Sequence, residues 1–135
     1  MTRLTTKTST KKGRSGPEEQ QQIAFFEYCN YMTLATKNMA YSLAFHIGNE
    51  RKASIQRRIM MKRAGVKKGV PDICVPVPNE KYHALYIEMK IKPNRLSPEQ
   101  ADYLRHLNQC GNYAVVAWSA DEAIETLEKY LHNKL

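Results

Sequence analysis

Asp72, Glu88 and Lys90 are the residues of this 135-residue chain whose types and spacing suggest shared chemistry. Asp72 opens an alternating apolar stretch after Gly69-Val70-Pro71, and Glu88 and Lys90 stand two apart on the next such stretch. Side chains two apart on a strand point to the same face. If the two strands pair as a hairpin, two carboxylates and one ammonium converge. Such a patch suits Mg²⁺, which takes oxygen ligands in octahedral geometry, keeps several waters and is completed by phosphate oxygens. The metal polarises a phosphoryl group and acidifies a bound water, which a neighbouring lysine orients or helps to deprotonate. The bland alternative for Glu-x-Lys is an exposed ion pair on an amphipathic strand, and Asp after Pro is ordinary turn chemistry. The combination, lying beside basic segments, is more specific than either part.

Periodicity and caps predict the elements that must position these residues. Pro17, Glu18 and Glu19 open a helix, with Pro in the first turn and carboxylates at the positive dipole end; Ile23 and Phe26 continue it. Residues 31–40 are ambiguous, and 41–47 read as a strand ended by Gly48-Asn49. Residues 53–64 form a helix with Ile55, Ile59 and Met60 at helical spacing and basic residues on the other side, closed by Gly65. The strand at 72–77 sets Ile73, Val75 and Val77 on one face and Asp72, Cys74 and Pro76 on the other. The strand at 84–91 sets Leu85, Ile87, Met89 and Ile91 against Tyr86, Glu88 and Lys90. Ser97-Pro98-Glu99-Gln100 starts a helix with a capping box, and that helix runs through Leu104 and Leu107 to Gly111. A buried strand at 113–118 and a last helix, capped by Ser119 and Glu122 and reaching Leu131, complete the order. The pattern is that of an α/β domain with a central sheet covered by helices. Ile23, Phe26, Leu104 and Leu107 are expected in its core, whereas Tyr31, Met32, Leu34, Met39 and Tyr41 suit either core or an interface.

Composition bounds the partners. The chain has 21 Lys+Arg against 13 Asp+Glu, a formal charge of +8, which favours polyanions and says nothing of fold. Residues 1–16 carry Arg3, Lys7, Lys11, Lys12 and Arg14 without an acid, five of the eight excess charges. They read as a disordered basic arm before a single domain at 17–135. Within that domain, Arg51, Lys52, Arg57, Arg58, Lys62, Arg63, Lys67 and Lys68 form a second acid-free basic run, a candidate phosphate-contacting surface. No apolar run approaches the roughly 18 residues of a membrane span, so no membrane partner is expected and a cytoplasmic location is the natural reading. Three cysteines, Cys29, Cys74 and Cys110, are too few for a disulfide scaffold and form no CxxC pair. The four histidines lack metal-ligand spacing, and neither GxGxxG nor a phosphate-binding GxxxxGK[ST] loop occurs.

The segment GVPDICVPVPNEKYHALYIEMKIKPNRLSPEQADYLRHLNQCGNYAVVAW resembles the VRR-NUC branch of the PD-(D/E)XK nuclease superfamily. The likeness extends over about residues 17–131 and is most specific over 69–111. It is especially similar to the small stand-alone versions of phages and prophages. The resemblance implies a restriction-endonuclease-like mixed sheet flanked by helices. Pro71-Asp72 matches the first half of the motif and Glu88-Met89-Lys90 the second, which makes Asp72, Glu88 and the Met89 carbonyl metal ligands and Lys90 the residue that activates or positions water. Gln100 takes the place of the family's glutamine on the following helix. The family's first-helix glutamate, which helps to hold the metal, falls on Glu18, with Gln22 one turn later; Glu19 is the alternative. FHIGNE matches a segment that usually reads Pro-Asn, and this chain departs from it with Gly48-Asn49. The resemblance further implies Mg²⁺- or Mn²⁺-dependent hydrolysis of DNA phosphodiesters, commonly in branched or flapped DNA, by a homodimer. A phage or prophage origin would place it in a bacterial host cell.

A rival reading keeps the scaffold without the chemistry. A non-catalytic nucleic-acid-binding module needs only Lys and Arg to hold a polyanion, and the charge pattern serves both readings. Intact Asp72, Glu88 and Lys90 favour the nuclease.

Overall fold

The computed structural model describes residues 16–48 and 53–135; the basic arm before residue 16, Asn49, Arg51 and Lys52 lie outside the described residues. Helix α1 (Pro17–Thr36) begins as its caps predict, with Gly16 as N-cap, Pro in the first turn and Glu18 and Glu19 beside it. It absorbs half of the ambiguous stretch and stops where Lys37 turns left-handed (φ 57°), its N–H bonded to the Thr33 carbonyl.

The strand expected at 41–47 is helix over its first three residues. The Asn38 side chain accepts the Ala40 N–H at 3.0 Å and caps α2 (Met39–Leu43), leaving only β1 (Phe45–His46) as strand. Alternating Tyr41, Leu43, Phe45 and Ile47 satisfies a strand template, but an Asn N-cap settles the local choice. Tertiary packing agrees: Tyr41 is buried and its hydroxyl donates to Glu128 at 2.6 Å.

Helix α3 (Ile55–Arg63) forms under a Ser54 cap and ends before Gly65, whose φ is 102°. None of its residues is buried; Ile55 is 69% and Ile59 54% exposed. Its apolar side therefore stays outside the core.

The remaining elements are β2 (Ile73–Val75), β3 (Leu85–Met89), α4 (Pro98–Gln109), β4 (Tyr113–Ala117) and α5 (Ala120–Leu131). They build a four-stranded mixed sheet in the order β1-β2-β3-β4. The first three strands are antiparallel, and β3 pairs in parallel with β4 through the α4 crossover, the connection that parallel neighbours require. One sheet face, with Ile73, Val75, Leu85, Ile87, Met89 and Ala117, packs on Phe25 and Cys29 of α1, Tyr41 of α2, and Ala123, Leu127 and Tyr130 of α5. Each fully buried aliphatic side chain there contributes about 1.5–3 kcal/mol. Phe26 packs at the edge of this core and Leu104 is buried, as expected, whereas Ile23 is 45% exposed. Helix α4 lies along β4, and the strand register sends Tyr86, Glu88 and Lys90 to the face opposite the main core.

Candidate active site

A tight loop delivers Asp72 to the sheet. Gly69 has φ 84°, and a Cβ on it would lie 2.5 Å from the main-chain carbon and oxygen of Glu99. Only glycine lets the loop press this closely on the first turn of α4. Pro71 is fully buried, and Asp72 follows directly. Its carboxylate Oδ2 accepts the Met89 N–H at 2.8 Å, while its carbonyl accepts the Ile47 N–H at 2.7 Å. His46 Nδ1 lies 2.8 Å from the same carbonyl, a bond that requires a proton on Nδ1. Asp72 is thus tied to β1 through its main chain and to β3 through its side chain. Continuing the Ile73–Ile87 register by one step sets it opposite Glu88.

Glu88 and Lys90 are not the exposed ion pair that the motif allows. They are 2% and 7% exposed, the buried charged residues of the described structure. Lys90 Nζ stands 3.9 Å from Glu88 Oε1, within ion-pair range but beyond a hydrogen bond. Burial of either charge alone would cost several kcal/mol, so each stabilises the other where it stands.

Gln100 holds the pair from α4. Its Oε1 accepts the Ser97 N–H at 2.9 Å and its N–H donates to Ser97 Oγ at 3.1 Å, a full capping box. Because the amide oxygen is committed to a donor, the amide NH₂ is the end that faces Glu88; Nε2 donates to Glu88 Oε1 at 2.7 Å. The helix cap and the site share one side chain.

Met89 turns its side chain into the core and presents only main-chain atoms to Asp72. Glu18 accepts from Asn94 Nδ2 at 3.1 Å and lines a concavity of about 620 Å³ together with Lys90 and Arg95. The structure brings Asp72, Glu88, Lys90 and Gln100 together, and Glu18 and Lys90 line one hollow; Glu19 is exposed. Among the described residues no three His, Cys, Asp or Glu side chains gather into a metal-holding group. The donor set at Asp72, Glu88 and the Met89 carbonyl is nonetheless all oxygen and carries two carboxylates. That fits Mg²⁺ or Mn²⁺, which take one or two carboxylates and complete their shells with water and phosphate.

The lining behind the site is neutral. Burial pushes the Cys74 thiol up, against a hydrogen bond from Tyr86 that lowers it. The Tyr86 hydroxyl is likewise raised by burial, then by Cys74. Outside the site, Arg57, Arg58, Lys62 and Arg63 are all exposed on α3, and Lys67 and Lys68 follow on the loop toward Asp72. Asn94, His46 and Tyr103 are neighbours that sequence reasoning missed. Tyr103 alone had a signal, lying one helical turn after Gln100 on the same side of α4.

The VRR-NUC domain family model matches residues 14–121. A solved structure titled "VRR_NUC domain protein" superposes with a TM-score of 0.71 at 22% identity, covering 88% of this chain and 91% of its own. That likeness establishes the shared fold. No curated protein matches the chain significantly. Among the described residues no helix is long and apolar enough to cross a membrane. The family match over most of the sequence and the superposed fold agree, and this chain belongs to the VRR-NUC domain family, a family of nucleases.

Proposed function

We propose that this chain is a divalent-metal-dependent DNA endonuclease that hydrolyses phosphodiester bonds, with branched DNA as its substrate and a homodimer as its working form. The observation that carries the reading is the buried Glu88–Lys90 pair, locked by Gln100 and set against Asp72. Burying two charges side by side is a poor route to stability, and such placements are found where chemistry needs them.

Asp72, Glu88 and the Met89 carbonyl would hold Mg²⁺, with Mn²⁺ able to substitute. When bound, the metal supplies Lewis acidity and neutralises charge on the phosphoryl oxygens. Asp72 is positioned for its part by the Met89 N–H, and Glu88 by the Gln100 amide. Lys90 keeps its ammonium at the hollow's edge, where it orients the attacking water and offsets negative charge as the phosphorus centre crowds. Glu18, anchored by Asn94, completes the rim. The basic α3 surface and the Lys67-Lys68 loop hold the DNA backbone without reading its sequence.

The first test replaces Asp72 with Asn, which keeps the shape and removes the charge. Mg²⁺-dependent cleavage of a panel of junctions, flaps and duplexes should vanish while gel-shift affinity for the same DNA persists. Undiminished cutting by Asp72→Asn would remove Asp72 from the mechanism. A wild-type chain that binds every substrate and cuts none would leave the binding-module reading in its place.

A further inference from the structure

A second concavity, of about 410 Å³, opens beside the site and is lined by none of the proposed metal ligands. Ile47, Ala64, Val66 and Val70 make its wall apolar, Tyr103 adds an aromatic ring and Lys67 a single positive charge. Its volume lies in the roughly 300–1,000 Å³ range of small-molecule sites. Among the described residues no carboxylate lines it, and Lys62, Arg63 and Lys68 flank Lys67 in sequence without an intervening acid.

Three connections tie this hollow to Asp72. Ile47 donates its N–H to the Asp72 carbonyl at 2.7 Å. Val70 is two residues before Asp72 on the loop that Gly69 presses onto α4. Tyr103 stands one turn after Gln100 on the same side of α4. The hollow is therefore built on the same three segments that carry the site, and it borders the site rather than some remote surface.

We infer that this hollow receives one unstacked nucleobase of the DNA next to the scissile phosphodiester, with the adjoining phosphate on Lys67. The inference rests on the nuclease reading for its substrate and deepens it. A cleft whose described lining is apolar and aromatic and carries a lysine is complementary to a flat heterocycle carrying a phosphate, because bases stack on aromatic side chains regardless of sequence. Duplex DNA offers no such base unless one is extruded, at the cost of unstacking it. DNA with an unpaired nucleotide at the cut is then favoured over fully paired DNA.

The test uses the full chain in EDTA, so that binding is read without cutting. Oligonucleotides carry 2-aminopurine at successive positions through a single unpaired nucleotide, beside fully paired controls. Wild type should change the emission at one position next to the mapped cut and leave the others as they are. Tyr103→Phe should retain that signal. Tyr103→Ala should lose it, together with roughly 5- to 150-fold of the preference for unpaired over paired DNA. Because Tyr103 is half-buried, a second variant, Val66→Glu, places an anion in the hollow from a residue already 40% exposed; it should abolish the same signal with the melting temperature preserved. Uniform emission at every position overturns the inference, as does wild-type signal and preference in both Tyr103→Ala and Val66→Glu. Metal-dependent cleavage by wild type is scored separately. If wild type binds DNA but cuts none, the nuclease reading fails, while an emission change confined to the unpaired nucleotide and lost in Tyr103→Ala still decides whether the hollow takes a base. If it binds no DNA, both fall.

Discussion

Two carboxylates on opposite faces of the sheet show how one side chain type is used in two ways. Glu128 on α5 accepts from the Tyr28 hydroxyl at 2.7 Å and the Tyr41 hydroxyl at 2.6 Å on one oxygen, and pairs with His132 at 3.2 Å on the other. Burial raises its pKa, but the hydrogen bonds from Tyr41 and Tyr28 and the contact with His132 outweigh it and hold the carboxyl below its usual range. The result is a knot that ties α1, α2 and α5. Glu88, by contrast, meets an amide at 2.7 Å and an ammonium held off at 3.9 Å, deeper in the protein than Glu128. Two short hydroxyl bonds on one oxygen and an imidazole on the other stabilise a fold. A buried charge held by a positioning amide beside a spaced ammonium suits the proposed role of Glu88 as a metal ligand.

Exchanging the chemistry at each carboxylate separates the two roles. Glu88→Gln should bring Mg²⁺-dependent cleavage below detection, read on the best substrate of the panel. Lys90→Met should slow single-turnover cleavage by about 10²–10⁴-fold, the usual share of a positioned acid–base group. Each single change strands the partner's buried charge and should lower stability, whereas the double variant Glu88→Gln/Lys90→Met should regain it without regaining cleavage. A double variant no more stable than the singles would break the claim that the two charges compensate each other.

Gln100→Ala comes next in size. Losing an amide that orients a ligand typically costs about 10–100-fold in metal affinity or activity, so the Mg²⁺ concentration for half-maximal cleavage should rise. The smallest effect on cleavage belongs to Glu128→Ala, which should leave the rate of folded protein near wild type. It should cost about 1.5–3 kcal/mol of unfolding free energy, as expected for hydrogen bonds to a charged group. The pH profile of stability should follow the knot. Glu128, with its folded pKa depressed, contributes stability that is complete above its unfolded value of 4.5 and lost as pH falls below it. Tyr28, raised from 10.0 to about 12 by burial and by Glu128, contributes stability that is complete below pH 10 and lost as pH climbs toward 12; Tyr41 is raised for the same reasons. Thermal melts of wild type and Glu128→Ala across both ranges check this. Equal alkaline slopes in the two proteins would separate the tyrosines from Glu128.

Much of the site was legible because its signals are local. Alternation put Glu88 and Lys90 on one face, the Pro-Asp step opened β2, and Ser97 with Gln100 announced a helix start, while it was the family resemblance that pointed Gln100, whose amide reaches Glu88, to the site. The misreadings share a cause. Tyr41, Leu43, Phe45 and Ile47 alternate as a strand would, yet Asn38 caps a helix there and Tyr41 is drawn to a carboxylate 87 residues away. Ile55 and Ile59 carry the spacing of a buried helical face, yet no other element covers them among the described residues. Periodicity reports the shape of an element, not what packs on it.

Order along the chain and the identity of the charged residues follow from caps, alternation and spacing, since each acts within a few residues of itself. Burial does not. Whether Glu-x-Lys lies on the surface or in the interior depends on α4 arriving over the sheet, and on a loop that only Gly69 lets close against Glu99. The same is true of the knot at Glu128, whose partners come from α1, α2 and α5. The electrostatic strength of a charge is set by how much water surrounds it, and that is a property of the assembled fold.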